Sequence, residues 1–115
     1  MTNSQLKQLV DALNVVFGSC KVIPDEDHSI YVEARGAAVA IYPDVVTVET
    51  LMGPHDVNGW AVGTMDDEGE FVEEHVTDVF GDVIISTAAL LADLIATEHL
   101  YSTGIAASIQ EEQYE

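Results

Sequence analysis

From Gly36 to Glu115 the chain contains no lysine and no arginine, while sixteen Asp and Glu fall in the same eighty residues. Nothing else in the sequence restricts the fold as strongly. A carboxylate without a cationic partner is expensive to bury. These acids must therefore sit at turn tips and outward positions, and the interior must come from Val, Ile, Leu and Ala. The whole chain carries 21 acids against three bases (Lys7, Lys21 and Arg35), for a formal charge of −18, yet 48% of its 115 residues are hydrophobic. That apolar share supports one modest core and separates the chain from disordered sequences. A single acidic domain over residues 1–115 is expected. Self-repulsion opposes its compactness, and the same field excludes direct binding to nucleic acid or an anionic membrane, which need a basic surface.

The hydrophobic pattern predicts α+β architecture. Leu6, Leu9, Val10, Leu13, Val16 and Phe17 form one helical face over 4–17, with Asn3 or Ser4 as cap and Gly18 as stop. Short β-type runs follow. "CKVI" ends at Pro24, "PDEDH" is a loop, and "SIYVEA" alternates. "RG" at 35–36 turns into "AAVAIY", and "PD" at 43–44 and "GPHD" at 53–56 read as further breaks. Tyr31 and Tyr42 fall on adjacent predicted strands and are expected to share the open sheet face. "DDEG" at 66–69 has the chemistry of a four-residue hairpin loop, which makes 70–75 a strand. Phe71, Val72, His75, Val76, Val79 and Phe80 also fit a helical stripe, so residues 70–80 are strand or helix, with the hairpin preferred. A second helix is predicted from about Ser86 to Tyr101, capped by Ser86 or Thr87 and stopped near Gly104, with Leu90, Leu91, Leu94 and Ile95 packing. Residues 105–115 read as a frayed tail. The predicted order is an N-terminal helix, an antiparallel meander of four to six strands and a C-terminal helix, with both helices on one face of the sheet.

Signatures of catalysis are missing. Cys20 is the only cysteine, which excludes an internal disulfide, fits a reducing compartment and reads as a small buried thiol. No His-Glu-x-x-His motif occurs, and an EF-hand loop with Gly69 at its sixth position would begin at Thr64 and end at His75, neither of them an acid. No phosphate-cradling glycine loop is present. No enzyme activity, metal or cofactor is expected. The N-terminal stretch lacks signal-peptide regions, and the apolar stretch 83–96 is short and interrupted for a membrane span, so a cytoplasmic protein is expected.

The acids are concentrated as well as numerous. Residues 64–82 hold eight of them: Asp66, Asp67, Glu68, Glu70, Glu73, Glu74, Asp78 and Asp82. These are the candidate partner-binding residues. Phosphates of a single strand recur about every 3.4 Å, whereas carboxylates on one strand face recur about every 7 Å. Two neighbouring rows would approach the phosphate spacing and could fill a Lys/Arg groove through charge-assisted hydrogen bonds. In size and charge the chain is similar to phage anti-restriction and anti-CRISPR inhibitors that mimic DNA. That resemblance is one of composition, and it implies a basic nucleic-acid-binding protein or nuclease complex of the host as partner. The chain is also similar in size, acidity and helix-then-strands opening to type III secretion chaperones, which would imply an apolar client surface and a homodimer. Adaptation to high salt is the third explanation. Monomer and homodimer both remain open from the sequence.

Overall fold

A computed structural model describes residues 1–102, with side chains to residue 100. Helix α1, Asn3–Phe17, is started by Thr2 rather than by Asn3 or Ser4. Gln5 N–H donates to Thr2 Oγ1 at 3.1 Å, and Thr2 N–H donates to Gln5 Oε1 at 2.9 Å. This reciprocal box needs an acceptor side chain three residues after the cap, and Asn3 and Ser4 are followed at that distance by Leu6 and Lys7. Gly18, at φ 79°, ends the helix as expected, its N–H bonding Asn14 O at 2.8 Å.

Five strands follow: β1 Lys21–Pro24, β2 Ile30–Ala34, β3 Ala37–Thr50, β4 Gly53–Met65 and β5 Phe71–Thr77. They form one antiparallel meander in the order β1-β2-β3-β4-β5. Helix α2, Phe80–Ser102, returns across the sheet. Leu9, Leu13 and Phe17 of α1 and Val83 and Leu91 of α2 share one core with Ile30, Val32, Ala34, Ala37, Val39, Ile41 and Val62 of the sheet. The predicted α+β architecture is the observed one. Gly104 and residues 105–115 lie outside the described residues.

Two predicted breaks are strand instead. β3 runs through Pro43 and Asp44, and "GPHD" at 53–56 opens β4. The pairing explains why proline is tolerated. β2 pairs with β3 only as far as Ile30↔Ile41, and β5 pairs with β4 only as far as Thr77↔Trp60. Beyond those points β3 and β4 each have an open edge, where a missing N–H need not break a ladder. They continue as a two-stranded arm from the pair Asp44↔Gly59 to Thr50↔Gly53. The turn is only Leu51–Met52, followed by Gly53 at φ 101°.

The preferred hairpin at 66–69 is present. Asp66 N–H bonds Glu70 O at 2.8 Å, Gly69 N–H bonds Asp66 O at 3.0 Å, and Gly69 takes φ 80°. Residues 71–77 are therefore strand and not helix. A bulge lies between the pairs Val62↔His75 and Gly63↔Glu73, leaving Glu74 as the extra residue. It shifts the alternation by one, so that Thr77, opposite Trp60, is buried. Thr77 Oγ1 then accepts from Val79 N–H at 3.0 Å and donates to Asp82 Oδ2 at 3.1 Å. These bonds tie the start of α2 to the end of β5. The helix thus begins six residues before the predicted Ser86, and Thr87, predicted as a cap, is a fully buried residue inside it. Leu91 is buried, and Leu90, Leu94 and Ile95 pack partly against the core.

Candidate acidic interface

The eight candidate carboxylates follow one path along the molecule. Asp66, Asp67, Glu68 and Glu70 occupy and flank the β4–β5 turn, Glu73 and Glu74 lie on β5, Asp78 follows it, and Asp82 is in the first turn of α2. Among the described residues β5 is the last strand of the sheet, and one of its edges is unpaired. Seven of the eight are exposed, and Asp82 is half-buried.

Two of the eight have internal work. Asp66 Oδ1 accepts from Glu68 N–H at 2.9 Å and Glu70 N–H at 2.8 Å, which fixes the turn. Asp82 holds Thr77. Among the described residues, the side chains of Asp67, Glu68, Glu70, Glu73, Glu74 and Asp78 have no hydrogen bond or salt bridge to another residue. Their charge is directed to solvent.

The arrangement is denser at one end. The turn supplies Asp66, Asp67, Glu68 and Glu70 within five residues. The strand then adds only Glu73 and Glu74 before Asp78. The neighbouring strand β4 brings no carboxylate alongside, since its paired stretch Trp60–Met65 contains no acid. Among the described residues there is no second parallel row. The site is an acidic head with a thinner shaft of about 23 Å along β5. The three bases lie elsewhere: Lys7 on α1, Lys21 on the opposite edge strand β1 and Arg35 in the β2–β3 turn.

Other acids are not on this path. Asp25, Glu26 and Asp27 form the β1–β2 loop, and Asp44, Glu49 and Asp56 lie on the arm. The Asp27 carboxyl is held below its ordinary pKa, first by the hydroxyl of Ser29 and then by the Ser29 backbone N–H.

The open face of the sheet carries aromatics, as the tyrosine spacing suggested. Tyr31 and Tyr42 hydroxyls bond at 2.8 Å, and the Tyr42 ring meets Phe71 edge-on with centroids 4.6 Å apart. Phe71 was legible only as part of an ambiguous stripe. Ala40 and Ala61 on β3 and β4 are 1% and 3% exposed, and by register they share the open face with this cluster. That face is therefore more covered than a bare sheet. The tyrosine hydrogen bond, followed by desolvation, pushes the Tyr42 phenol up to about 12. The arm was not anticipated. Its tip presents Leu51 at 107% and Met52 at 89% exposure, with Val45 at 59%. The sequence signal was "TLMG" between two β-branched runs, hidden because both prolines were read as breaks.

Cys20 is half-buried, and burial pushes its thiol pKa up, away from the reactive thiolate. Its Sγ lies 3.8 Å from Val10 O. Among the described residues no three His, Cys, Asp or Glu side chains converge as metal ligands. Helix α2 is long and apolar enough over Phe80–Leu100 to cross a membrane, by length and composition, which corrects the shorter stretch read from sequence. No known protein family, curated protein or solved structure is significantly similar to this chain.

Proposed function

We propose that this protein is an inhibitor that occupies the cationic, nucleic-acid-binding groove of another protein, with the β4–β5 turn and β5 edge standing in for phosphates. The observation that carries the reading is the uncompensated acidic head: four acids within Asp66–Glu70, three of them without side-chain partners, on a turn pinned by Asp66 and Gly69. A pinned turn spares the backbone part of the ordering cost on binding. Each carboxylate can accept a charge-assisted hydrogen bond from Lys or bidentate Arg. Phage or mobile-element defence evasion is the setting that such an inhibitor fits, with a host nuclease complex or restriction enzyme as target. Acids on an edge strand also block edge-to-edge pairing. That role accounts for Glu73 and Glu74 but not for the crowded turn.

A second reading, an acidic chaperone or adaptor that holds a client through apolar surface, draws on the exposed Leu51 and Met52 at the arm tip. One experiment separates the two. The protein is immobilised and host lysate is passed over it at low salt, with elution by salt or by duplex DNA. Retention of a nucleic-acid-binding protein, released by both eluents and lost in the triple variant Glu70→Lys, Glu73→Lys, Glu74→Lys, supports the groove reading. Retention that survives salt and the triple variant but is lost in Leu51→Asp supports the client reading and overturns the first.

A further inference from the structure

Arg35 is one of three bases in a chain with 21 acids. It opens the two-residue turn between the paired residues Ala34 and Ala37, and both turn residues take positive φ, 50° at Arg35 and 84° at Gly36. Such a turn suits Asn-Gly, and an arginine held there is strained. Strain of this kind is a sign that the side chain has a use. That use is not internal, because among the described residues the Arg35 guanidinium makes no salt bridge or hydrogen bond.

Two cavities border Arg35. One, of about 440 Å³, is a groove between the helices, walled by Val16 and Phe17 of α1 and by Ala92, Ile95 and Ala96 of α2. Val16 belongs to the apolar face of α1, yet it is 61% exposed along this opening. Among the described residues no acid lines the groove. The other cavity, of about 410 Å³, lies against the connection from α1 to β1 and the β2–β3 turn. Its charged walls are Lys21 and Arg35 against Glu33, one net positive charge.

We propose that the groove binds a linear alkyl carboxylate, the chain lying between the helices and the head on Arg35. The charge at the head end selects the occupant. A guanidinium matches a carboxylate bidentately, and one net positive charge balances a monoanion rather than a phosphate dianion. A neutral or cationic amphiphile would leave Arg35 unmatched. A second copy would bring another formal charge of −18. The space agrees, since small-ligand sites run from about 300 to 1,000 Å³. From Ala92 to His99, which also lines the groove, is seven residues or about 10 Å along α2, the reach of a medium-length alkyl chain. The net charge repels any anion at long range. Salt screens that repulsion more than the short contact with Arg35, so the ligand binds more tightly as salt rises. Binding through the acidic head weakens under the same change, so either idea can fail without the other.

The test is calorimetric titration of the full chain with decanoate at about 50 and 500 mM salt. The expected result is one site per chain with a dissociation constant of about 50–500 μM, lower at the higher salt. Octanoate should bind about fourfold more weakly, half of the full burial value for two methylenes, because the groove is open on one side. Arg35→Asn removes the charge at a position that favours Asn, and should weaken decanoate at least about tenfold with circular dichroism unchanged. Ala96→Phe fills the groove from an exposed position and should weaken binding equally; it serves if Arg35→Asn misfolds. No saturable binding at about 5 mM decanoate overturns the proposal. So does an Arg35→Asn variant that binds like wild type, or decyltrimethylammonium binding as tightly as decanoate. Association of the chain with phosphatidylcholine vesicles or with a second copy, abolished by Ala96→Phe but not displaced by decanoate, also overturns it by showing a different occupant.

Discussion

Replacing Gly63 with alanine tests the structure at the point where the acidic edge is fastened to the sheet. Gly63 lies at the β4–β5 bulge, opposite Glu73. A Cβ there would overlap the Val72 carbonyl oxygen and come within 2.9 Å of the Val72 carbonyl carbon and 3.0 Å of Phe71 Cε2. The first two are backbone atoms and cannot rotate away. β5 must move outward, which strains one or two ladder hydrogen bonds, each worth about 1 kcal/mol net. Disturbing the Phe71–Tyr42 contact adds overpacking of about 1–3 kcal/mol. The expected loss is about 2–4 kcal/mol, a large share of the roughly 5–15 kcal/mol available to a domain of this kind. Urea unfolding followed by Trp60 fluorescence measures it, because Trp60 packs on the core beside Phe80. Gly36→Ala is the control. Gly36 has φ 84° and nothing within 4 Å of a built Cβ, so only backbone strain of about 1–2 kcal/mol is expected. If Gly63→Ala loses less than about 0.5 kcal/mol, the close approach at the bulge is wrong, and with it the placement of Glu73 and Glu74.

Three further outcomes follow from particular groups. Thr87 is 0% exposed and its Oγ1 has no hydrogen-bond partner, so Thr87→Val should raise stability by about 1 kcal/mol in chemical denaturation. Tyr31→Phe removes the main cause of the Tyr42 shift, so the Tyr42 phenol should titrate below about 12, as read by ultraviolet absorbance. Because the folded value lies above the ordinary 10.0, this pair stabilises fully below about pH 10 and loses its contribution as pH rises through about 12; Tyr31→Phe should flatten that alkaline decline. Thr77→Ala removes the acceptor for Val79 N–H and the donor to Asp82, and should cost about 1–2 kcal/mol with early fraying of α2 seen by hydrogen exchange.

The legible parts of the fold are those where one local signal suffices. The apolar period of α1 and the Asp-Asp-Glu-Gly turn each specify an element without help from the rest of the chain. The missed parts depend on neighbours. Pro43 and Pro54 read as breaks, yet both fall where their strands have open edges. The stripe from Phe71 to Phe80 imitated a helix because the bulge at Glu74 resets a period of two partway along β5. The β-branched run Val83-Ile84-Ile85 concealed the first turns of α2, which are secured by Thr77 and by burial of Val83. For the candidate site, the sequence located the acids but not their density. Among the described residues no second row forms beside β5, because β4, the strand paired with it, carries no acid there.

The central claim is that the acidic turn and β5 edge bind a cationic groove, and direct titration of the captured partner tests it. Affinity is measured for wild type and for Glu70→Lys, Glu73→Lys, Glu74→Lys between about 50 and 200 mM salt, with duplex DNA as competitor. The account predicts that wild-type affinity falls at least about tenfold over that range, that DNA competes, and that the triple variant folds but does not bind. Binding by the triple variant equal to wild type, or wild-type affinity indifferent to salt, would contradict it.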